Sequence, residues 1–451
     1  MKAPAVVQPY MTLERRPVIT GSSNETASTF SLVFAAWGVS LLANQAYSIW
    51  VFGLLSAALA GLLNWGTATA TLAFYVLDGG VDTAAVVVSK QNPHSLRSLA
   101  YAVGALRCAG ALIAVIAWLV ATRIGVLHQP EGHILLLAGA GMGIRSVQTP
   151  FSAWLQARDH QAIVGALGMI HSLFRLSSLA ALALTRQVSV ERILLASLAA
   201  DVAVVAATAV AARRVGAKST HDLSAGELVR RIARAAPFLS ATQILMMMQS
   251  RVDWLLVAAF VSYAGLANYA LANKSLELIV LGGAVFGKVA LPWFVDGWDS
   301  RGIGRPLFAV LSLATVAALV VGIEGRTLIH LAFGTKYSGA TVLLPLMAAL
   351  APALMLLPIV QYAVQARGRA SDTAYASFAG VTAQIVTDLL LIPRLGILGA
   401  GLGMCAFALV AVPTQLWMAV HHGIIPRRPA LRLATLVMVA PLLLGIASRT
   451  Y

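Results

Sequence analysis

The sequence predicts an all-α protein that crosses a membrane many times. Three observations carry that prediction. Of 451 residues, 59% are hydrophobic and only 11% are charged. The apolar residues gather into about a dozen runs of membrane-spanning length. The basic residues lie mainly between those runs. A soluble domain averages about 45–50% apolar and about 25% charged residues, so an ordinary cytosolic enzyme and a disordered chain are both excluded. The formal charge of +15 would suit nucleic acid if it formed one patch. Here it is spread over short connections, as membrane topology requires, and no nucleic-acid partner is expected. Cys108 and Cys405 sit in apolar runs, and the nine histidines show no ligand spacing. No disulfide framework, metal or cofactor is therefore expected.

Taken in order, residues 1–29 contain Lys2, Glu14, Arg15, Arg16 and Glu25 with no apolar core. They read as a mobile cytoplasmic tail rather than a signal peptide. Spans of roughly 20 or more apolar residues follow at 30–58, 66–89, 98–122, 133–157, 161–185 and 190–212. After a polar stretch come 236–260, 266–291, 306–330, 339–365, 372–393 and 397–420. A further run, 431–448, is long enough for a thirteenth span, although Pro441 interrupts it. The organisation is thus a tail (1–29), an N-terminal six-helix bundle (30–212), a linker (213–235), a C-terminal six-helix bundle (236–420) and a basic loop with its extra run (421–451).

Orientation follows from charge. With the N-terminus inside, 19 lysines and arginines fall on the inner side and 7 on the outer, so the N-terminus is expected in the cytoplasm. All outer loops are short. The linker places Leu223, Leu228, Ile232 and Ala233 at helical spacing among Arg230, Arg231 and Arg234. That pattern suits a helix lying on an anionic leaflet, or equally a solvated basic connector.

The two halves echo each other. Gln156-Ala157-Arg158 matches Gln365-Ala366-Arg367, each after a proline, Pro150 or Pro358. Asn64-Trp65 matches Asn268-Tyr269, and Leu77-Asp78-Gly79-Gly80 parallels Leu281-Gly282-Gly283-Ala284. Six is an even number, so the copies enter from the same side as a parallel repeat. Transporters so built hold substrate between two bundles that rock against each other.

A charge at mid-bilayer costs at least about 2.5 kcal/mol and calls for a partner or a wet cavity. Arg107, Arg145, Arg175, Arg251 and Lys274 are the basic candidates; Asp78, Asp82, Asp201, Asp253, Glu277 and Asp388 are the acidic ones. Arg175, Arg251 and Lys274 fall at a similar depth, roughly 12–14 Å from the outer face at 1.5 Å per residue. Arg145, Arg175, Arg251 and Lys274 are the candidates for a cationic, diphosphate-binding cavity, because Arg grips phosphate as a fork and Lys as a point charge. Arg145 and Arg175 have no acidic residue within a turn, which favours the cavity for them. Asp253 and Glu277 are close enough in height to pair with Arg251 and Lys274, and structural helix–helix pairing is the competing reading. Asp78, Asp253, Glu277 and Asp388 are the ion-coupling or ion-pair candidates; a hydrogen-bonded helix contact is the alternative for Asp78, Asp201 and Asp388. Lys288 is expected to snorkel. Gly139, Gly141 and Gly143, and Gly396, Gly399, Gly401 and Gly403, are expected to let helices pack closely.

Several segments resemble one family. Arg251-Val252-Asp253-Trp254-Leu255-Leu256, Ala267-Asn268-Tyr269-Ala270-Leu271-Ala272 and Leu291-Pro292 are similar to its R-x-D-x-L-L element, its Y-x-x-A segment and a closing proline. Phe333-Gly334-Thr335-Lys336-Tyr337, Gln365-Ala366-Arg367-Gly368-Arg369 and Gly396-Ile397-Leu398-Gly399-Ala400 continue the match. The family is the polysaccharide-transporter (Wzx-type) flippases of the multidrug/oligosaccharidyl-lipid/polysaccharide exporter superfamily. The resemblance implies a MATE/Wzx-like fold of twelve or more helices around a cationic cavity. It implies a bacterial inner-membrane protein that moves a polyprenyl-pyrophosphate-linked oligosaccharide to the periplasmic leaflet, for exopolysaccharide or O-antigen synthesis. Membrane lipids, a polysaccharide polymerase and export proteins are the implied partners. Relatives often carry an Arg near the end of the first helix, where this chain has Asn44 and Gln45. Two other functions compete. An ion-coupled drug/cation antiporter would want acids to dominate the cavity, and a membrane glycosyltransferase or polymerase would want a large outer loop or a clustered His/Asp/Glu site.

Overall fold

Inside lipid a backbone satisfies its own polar groups only as helix or closed barrel, and these long runs fold as helices. The computed structural model describes residues 23–78, 81, 84–85, 88, 96–123, 131–158, 160–215, 224–296, 304–367, 369–435 and 437. Twelve long α-helices occur among them: α1 (Ser23–Leu54), α2 (Ala57–Asp78), α3 (Leu96–Arg123), α4 (Glu131–Ala157), α5 (Gln161–Leu184), α6 (Val190–Val215), α7 (Ala225–Phe260), α8 (Tyr263–Asp296), α9 (Gly304–Phe333), α10 (Ser338–Ala366), α11 (Ala370–Leu395) and α12 (Ile397–His421). Seven of them, α5, α6 and α8 to α12, are long and apolar enough to cross a membrane. The chain is a multi-pass membrane protein.

Packing repeats between the halves. In the N-terminal half α1 packs on α5, α2 on α4, α3 on α4, α4 on α6 and α5 on α6. The C-terminal half shows the corresponding pairs: α7 on α11, α8 on α10, α9 on α10, α10 on α12 and α11 on α12. The matched segments also make matched bonds. Asn64 and Asn268 each donate from Nδ2 to the carbonyl one turn back, Ala60 O at 2.7 Å and Ala264 O at 2.8 Å. Arg158 and Arg367 close α4 and α10 alike, their N–H groups meeting Leu155 O and Val364 O, both at 3.2 Å. The halves meet through α2 against α7 and α8 and α3 against α7, with α1 also touching α8.

Most expected spans reappear within a few residues, but three differ. The first break falls at Leu55–Ser56, not at 59–65, with Ser56 Oγ accepting from Leu59 N at 3.3 Å. Residues 59–65, expected between two spans, are helical. A Cβ on Gly61 would lie 1.7 Å from the Tyr263 carbonyl oxygen; the glycine is what lets α2 meet the start of α8.

The second difference is α7. It runs unbroken from Ala225 to Phe260, opened by Ser224, whose Oγ accepts from Glu227 N at 3.2 Å. The boundary expected at 235/236 is therefore interior to a helix. Leu228 and Ile232 are fully buried in one cluster with Leu99, Trp154 and Ala212 of the N-terminal half, while Arg230, Arg231 and Arg234 are exposed. Of the expected apolar stripe, Leu228 and Ile232 are covered by protein rather than by a leaflet or water, while Ala233 is exposed.

Third, residues 23–29 of the expected tail are helical. Residues 1–22, 216–223 (with Leu223) and Asp82 lie outside the described residues. Of the expected thirteenth span, 431–435 and 437 are helical and 438–451 lie outside the described residues. Ala430, Leu433 and Val437 pack with Phe294 and Leu307 of α8 and α9.

The hairpin between α11 and α12 turns on one residue, Gly396, at φ 60°, a left-handed conformation that glycine adopts without steric cost. Among the glycines expected to serve packing, Gly139 and Gly143 face open space, whereas Gly141 of α4 faces α6, its would-be Cβ lying 3.2 Å from Asp201 Oδ2.

Candidate functional site: a cationic cavity between the halves

Where the halves meet lies a cavity, open to solvent and walled mostly by the N-terminal half, with Arg145, Arg175, Arg251 and Lys274 all on its wall. The four come from α4, α5, α7 and α8. Arg175 and Arg251 each stand nine residues from the nearer helix end, Leu184 or Phe260, and Lys274 stands eleven from Tyr263. At ~1.5 Å per residue these depths are roughly 14–16 Å, and Arg145 lies about one turn deeper.

Each cation has its own setting. Arg175 donates from Nη1 to Asn44 Oδ1 at 3.1 Å, and its guanidinium lies 4.1 Å from the centre of the Tyr47 ring. Its Nε is buried with no hydrogen-bond partner. Arg251 lies 4.4 Å from the Trp254 ring centre. Its Nη1 stands 3.8 Å from Glu277 Oε1 and is likewise buried without a hydrogen bond. Lys274 Nζ meets Glu277 Oε2 at 2.6 Å. Arg145 donates from Nε to Asp201 Oδ1 at 2.7 Å, an oxygen that also meets His171 Nε2 at 2.8 Å.

Two expectations need correction. Arg145 does have an acidic partner, on α6 rather than within a turn, because α4 and α6 pack face to face. Asp253 does not pair with Arg251 or Lys274. It is fully buried, accepting from the Tyr269 hydroxyl and from Trp254 N, the latter at 2.8 Å. Glu277 takes both cations instead. Asp78 faces Arg107 at 2.6 Å, joining α2 to α3. Asp388 is buried, and both its oxygens lack a hydrogen-bond partner. A Cβ on Gly403 would lie 1.8 Å from Asp388 Oδ1, so only glycine on α12 leaves room for that carboxylate.

Four cations against two carboxylates, Asp201 and Glu277, leave the cavity electropositive. Unsatisfied buried donors at Arg175 and Arg251 call for an acceptor, since leaving such a group unpaired costs about 1–3 kcal/mol. An anion with several oxygens satisfies both the charge and the donors.

The expected outer face of the cavity is closed. Lys336 Nζ donates to Phe52 O at 2.8 Å and Gly53 O at 3.2 Å, and the Tyr337 hydroxyl donates to Phe52 O at 2.9 Å. Tyr263, at the start of α8, donates its hydroxyl to Glu131 of α4. A second cavity lies in the C-terminal half, lined by Gln249, Asn273, Glu277, Gln361, Ser377 and Met404 among others.

Sequence reasoning missed His171, Tyr47 and the role of Asn44. His171 and Arg175 are four residues apart on one face of α5, a spacing that could have flagged the pair. Nothing local marks Asn44 as the partner of a residue 131 positions away.

No family model matches the sequence, and no curated protein matches it either. Solved structures do share its fold. The lipid II flippase MurJ, in an inward closed conformation, superposes with a TM-score of 0.68 at 10% identity, over 92% of each chain. The Vibrio cholerae MATE transporter VcmN in its bent form gives 0.61 at 18% identity, over 90% of this chain and 99% of that one. The eukaryotic MATE transporter AtDTX14 gives 0.59 at 13% identity, over 92% and 99%. The fold is that of MurJ and the MATE transporters.

Proposed function

We propose that this protein is a flippase that carries a polyprenyl-pyrophosphate-linked oligosaccharide from the cytoplasmic to the periplasmic leaflet by alternating access, serving exopolysaccharide or O-antigen synthesis in a bacterial inner membrane. The observation that carries the reading is the convergence of Arg145, Arg175, Arg251 and Lys274, from both halves, on one cavity. A diphosphate bridging a lipid and a sugar bears one negative charge on each phosphoryl group, which matches the surplus of two positive charges. Its oxygens can accept from the unpartnered Arg175 Nε and Arg251 Nη1. Trp254 and Tyr47, already stacked on arginines, offer flat surfaces beside the head group. The likeness to a lipid II flippase supports a lipid-linked cargo.

Binding anions at the junction of two like-packed bundles lets each bundle hold part of the head group. Rocking then opens the opposite face without releasing it. Closure on the expected outer face, through Lys336, Tyr337 and Tyr263, leaves the cytoplasmic side as the entry. Asp253 and Asp388 would couple transport to a cation or proton. Two neighbouring buried carboxylates without a basic partner cannot both stay charged unless a cation joins them. An ion-coupled drug antiporter would also need carboxylates to attract its cation, but such a protein gains nothing from four cations in its cavity.

The deciding experiment is deletion of the gene in its native host, followed by assay of the leaflet in which lipid-linked repeat units collect. Accumulation on the cytoplasmic side with loss of surface polysaccharide is expected. Unchanged export, or loss of drug resistance alone, would overturn the reading.

A further inference from the structure

Glu277 sits in the wall between the two cavities. Its carboxylate neutralises Lys274 at 2.6 Å and approaches Arg251 at 3.8 Å, while its side chain also lines the C-terminal cavity. On that side Asn273 Nδ2 faces its Oε1 at 3.4 Å, and Gln249, Gln361 and Ser377 add further polar groups. The charged groups around it are Lys274 of its own helix and Arg251 and Asp253 of α7; from α10, α11 and α12 the cavity presents amide, hydroxyl and apolar side chains. Glu277 therefore occupies, on two of the four cations, the position that an anionic head group would take.

We propose that Glu277 is an internal counter-anion that sets the specificity of the cavity: a head group must displace it from Lys274 and Arg251 into the C-terminal cavity, and only a dianionic one does so. This rests on the anion-binding reading above and adds the residue that decides which anions qualify. The surrounding bilayer is rich in monoanionic phosphodiester lipids. A tethered carboxylate competes at high effective concentration, and a single phosphodiester charge offers Lys274 and Arg251 no more than Glu277 already gives. A diphosphate brings a second charge and more acceptor oxygens, enough to engage these two cations together with Arg175 and Arg145. The displaced carboxylate then meets amides and a hydroxyl rather than bare hydrocarbon, which limits its desolvation cost. Discrimination arises by building a competitor against the wrong ligand as well as contacts for the right one.

The test uses the full-length protein in detergent with two probes of identical chain, farnesyl diphosphate and farnesyl methyl phosphate, titrated by native mass spectrometry. Wild type is expected to favour the diphosphate strongly. Glu277→Gln, which keeps the shape and removes the charge, is expected to bind the monoanion about tenfold more tightly, equivalent to ~1.4 kcal/mol, so that the preference narrows. Glu277→Asp, whose carboxylate retracts from Lys274, is expected to fall between and serves if the glutamine variant does not fold. A variant that keeps the wild-type ratio, or that loses affinity for both probes equally as a structural role would require, overturns the proposal and leaves the flippase reading standing. Wild type that binds neither probe overturns both.

Discussion

Arg175 on α5 reaches Asn44 on α1, Nη1 to Oδ1 at 3.1 Å, with its guanidinium over the ring of Tyr47 one turn further along α1. The charge arrives at α1 from α5, and asparagine serves as its holder.

Removal of that charge is the first test of the site. Arg175→Ala and Lys274→Ala are each expected to abolish surface polysaccharide while lipid-linked precursor accumulates at normal protein levels. Losing one charge-assisted hydrogen bond is worth about 1.5–3 kcal/mol, or roughly 10- to 150-fold in head-group affinity. Normal export in both variants would remove them from the site.

The Arg145–Asp201 pair separates stability from function. Arg145→Met alone leaves the buried Asp201 carboxylate to His171, and a loss of about 1–3 kcal/mol is expected, below the value for a fully buried pair because Arg145 is 37% exposed and His171 remains. The double variant Arg145→Met/Asp201→Leu is expected to recover the thermal midpoint yet remain defective in export. Recovery of both would make the pair purely structural.

Lys336 and Tyr337 tie the turn before α10 to the last carbonyls of α1, on the face expected to be outer. Cations at a helix C-terminus gain about 0.3–1 kcal/mol, so Lys336→Ala with Tyr337→Phe is expected to shift the population toward outward opening severalfold. Labelling of a cysteine at Asn64, inside the cavity, by an impermeant maleimide added from outside measures this. Unchanged labelling would show that the turn is no latch.

Gly403→Ala tests how tightly α12 closes over Asp388. The added methyl would sit 1.8 Å from Oδ1, an overpacking expected to cost about 1–3 kcal/mol. Combining it with Asp388→Ala frees the space and is expected to restore the melting temperature, which a clash located elsewhere would not allow.

Leu228→Ala tests the docking of the linker. A fully buried leucine lost from a packed site costs about 2–5 kcal/mol. The melting temperature is expected to fall while binding to anionic vesicles stays the same. A helix that rested on the leaflet would give the reverse.

The sequence by itself determined the all-helical membrane class and most of the helices, and it singled out the four cations that line one cavity. Length, hydropathy and charge along the chain are one-dimensional quantities, and the bilayer translates them directly into helices and sidedness. Which groups satisfy which was decided only by tertiary structure. Arg145 finds Asp201 56 residues away and Arg175 finds Asn44 131 residues away, while Asp253, two residues from Arg251, turns to Tyr269 instead. Adjacent positions on a helix point about 100° apart, so neighbours in sequence face different surroundings. Partners are set by the rotation and packing of separate helices, and no local pattern encodes those.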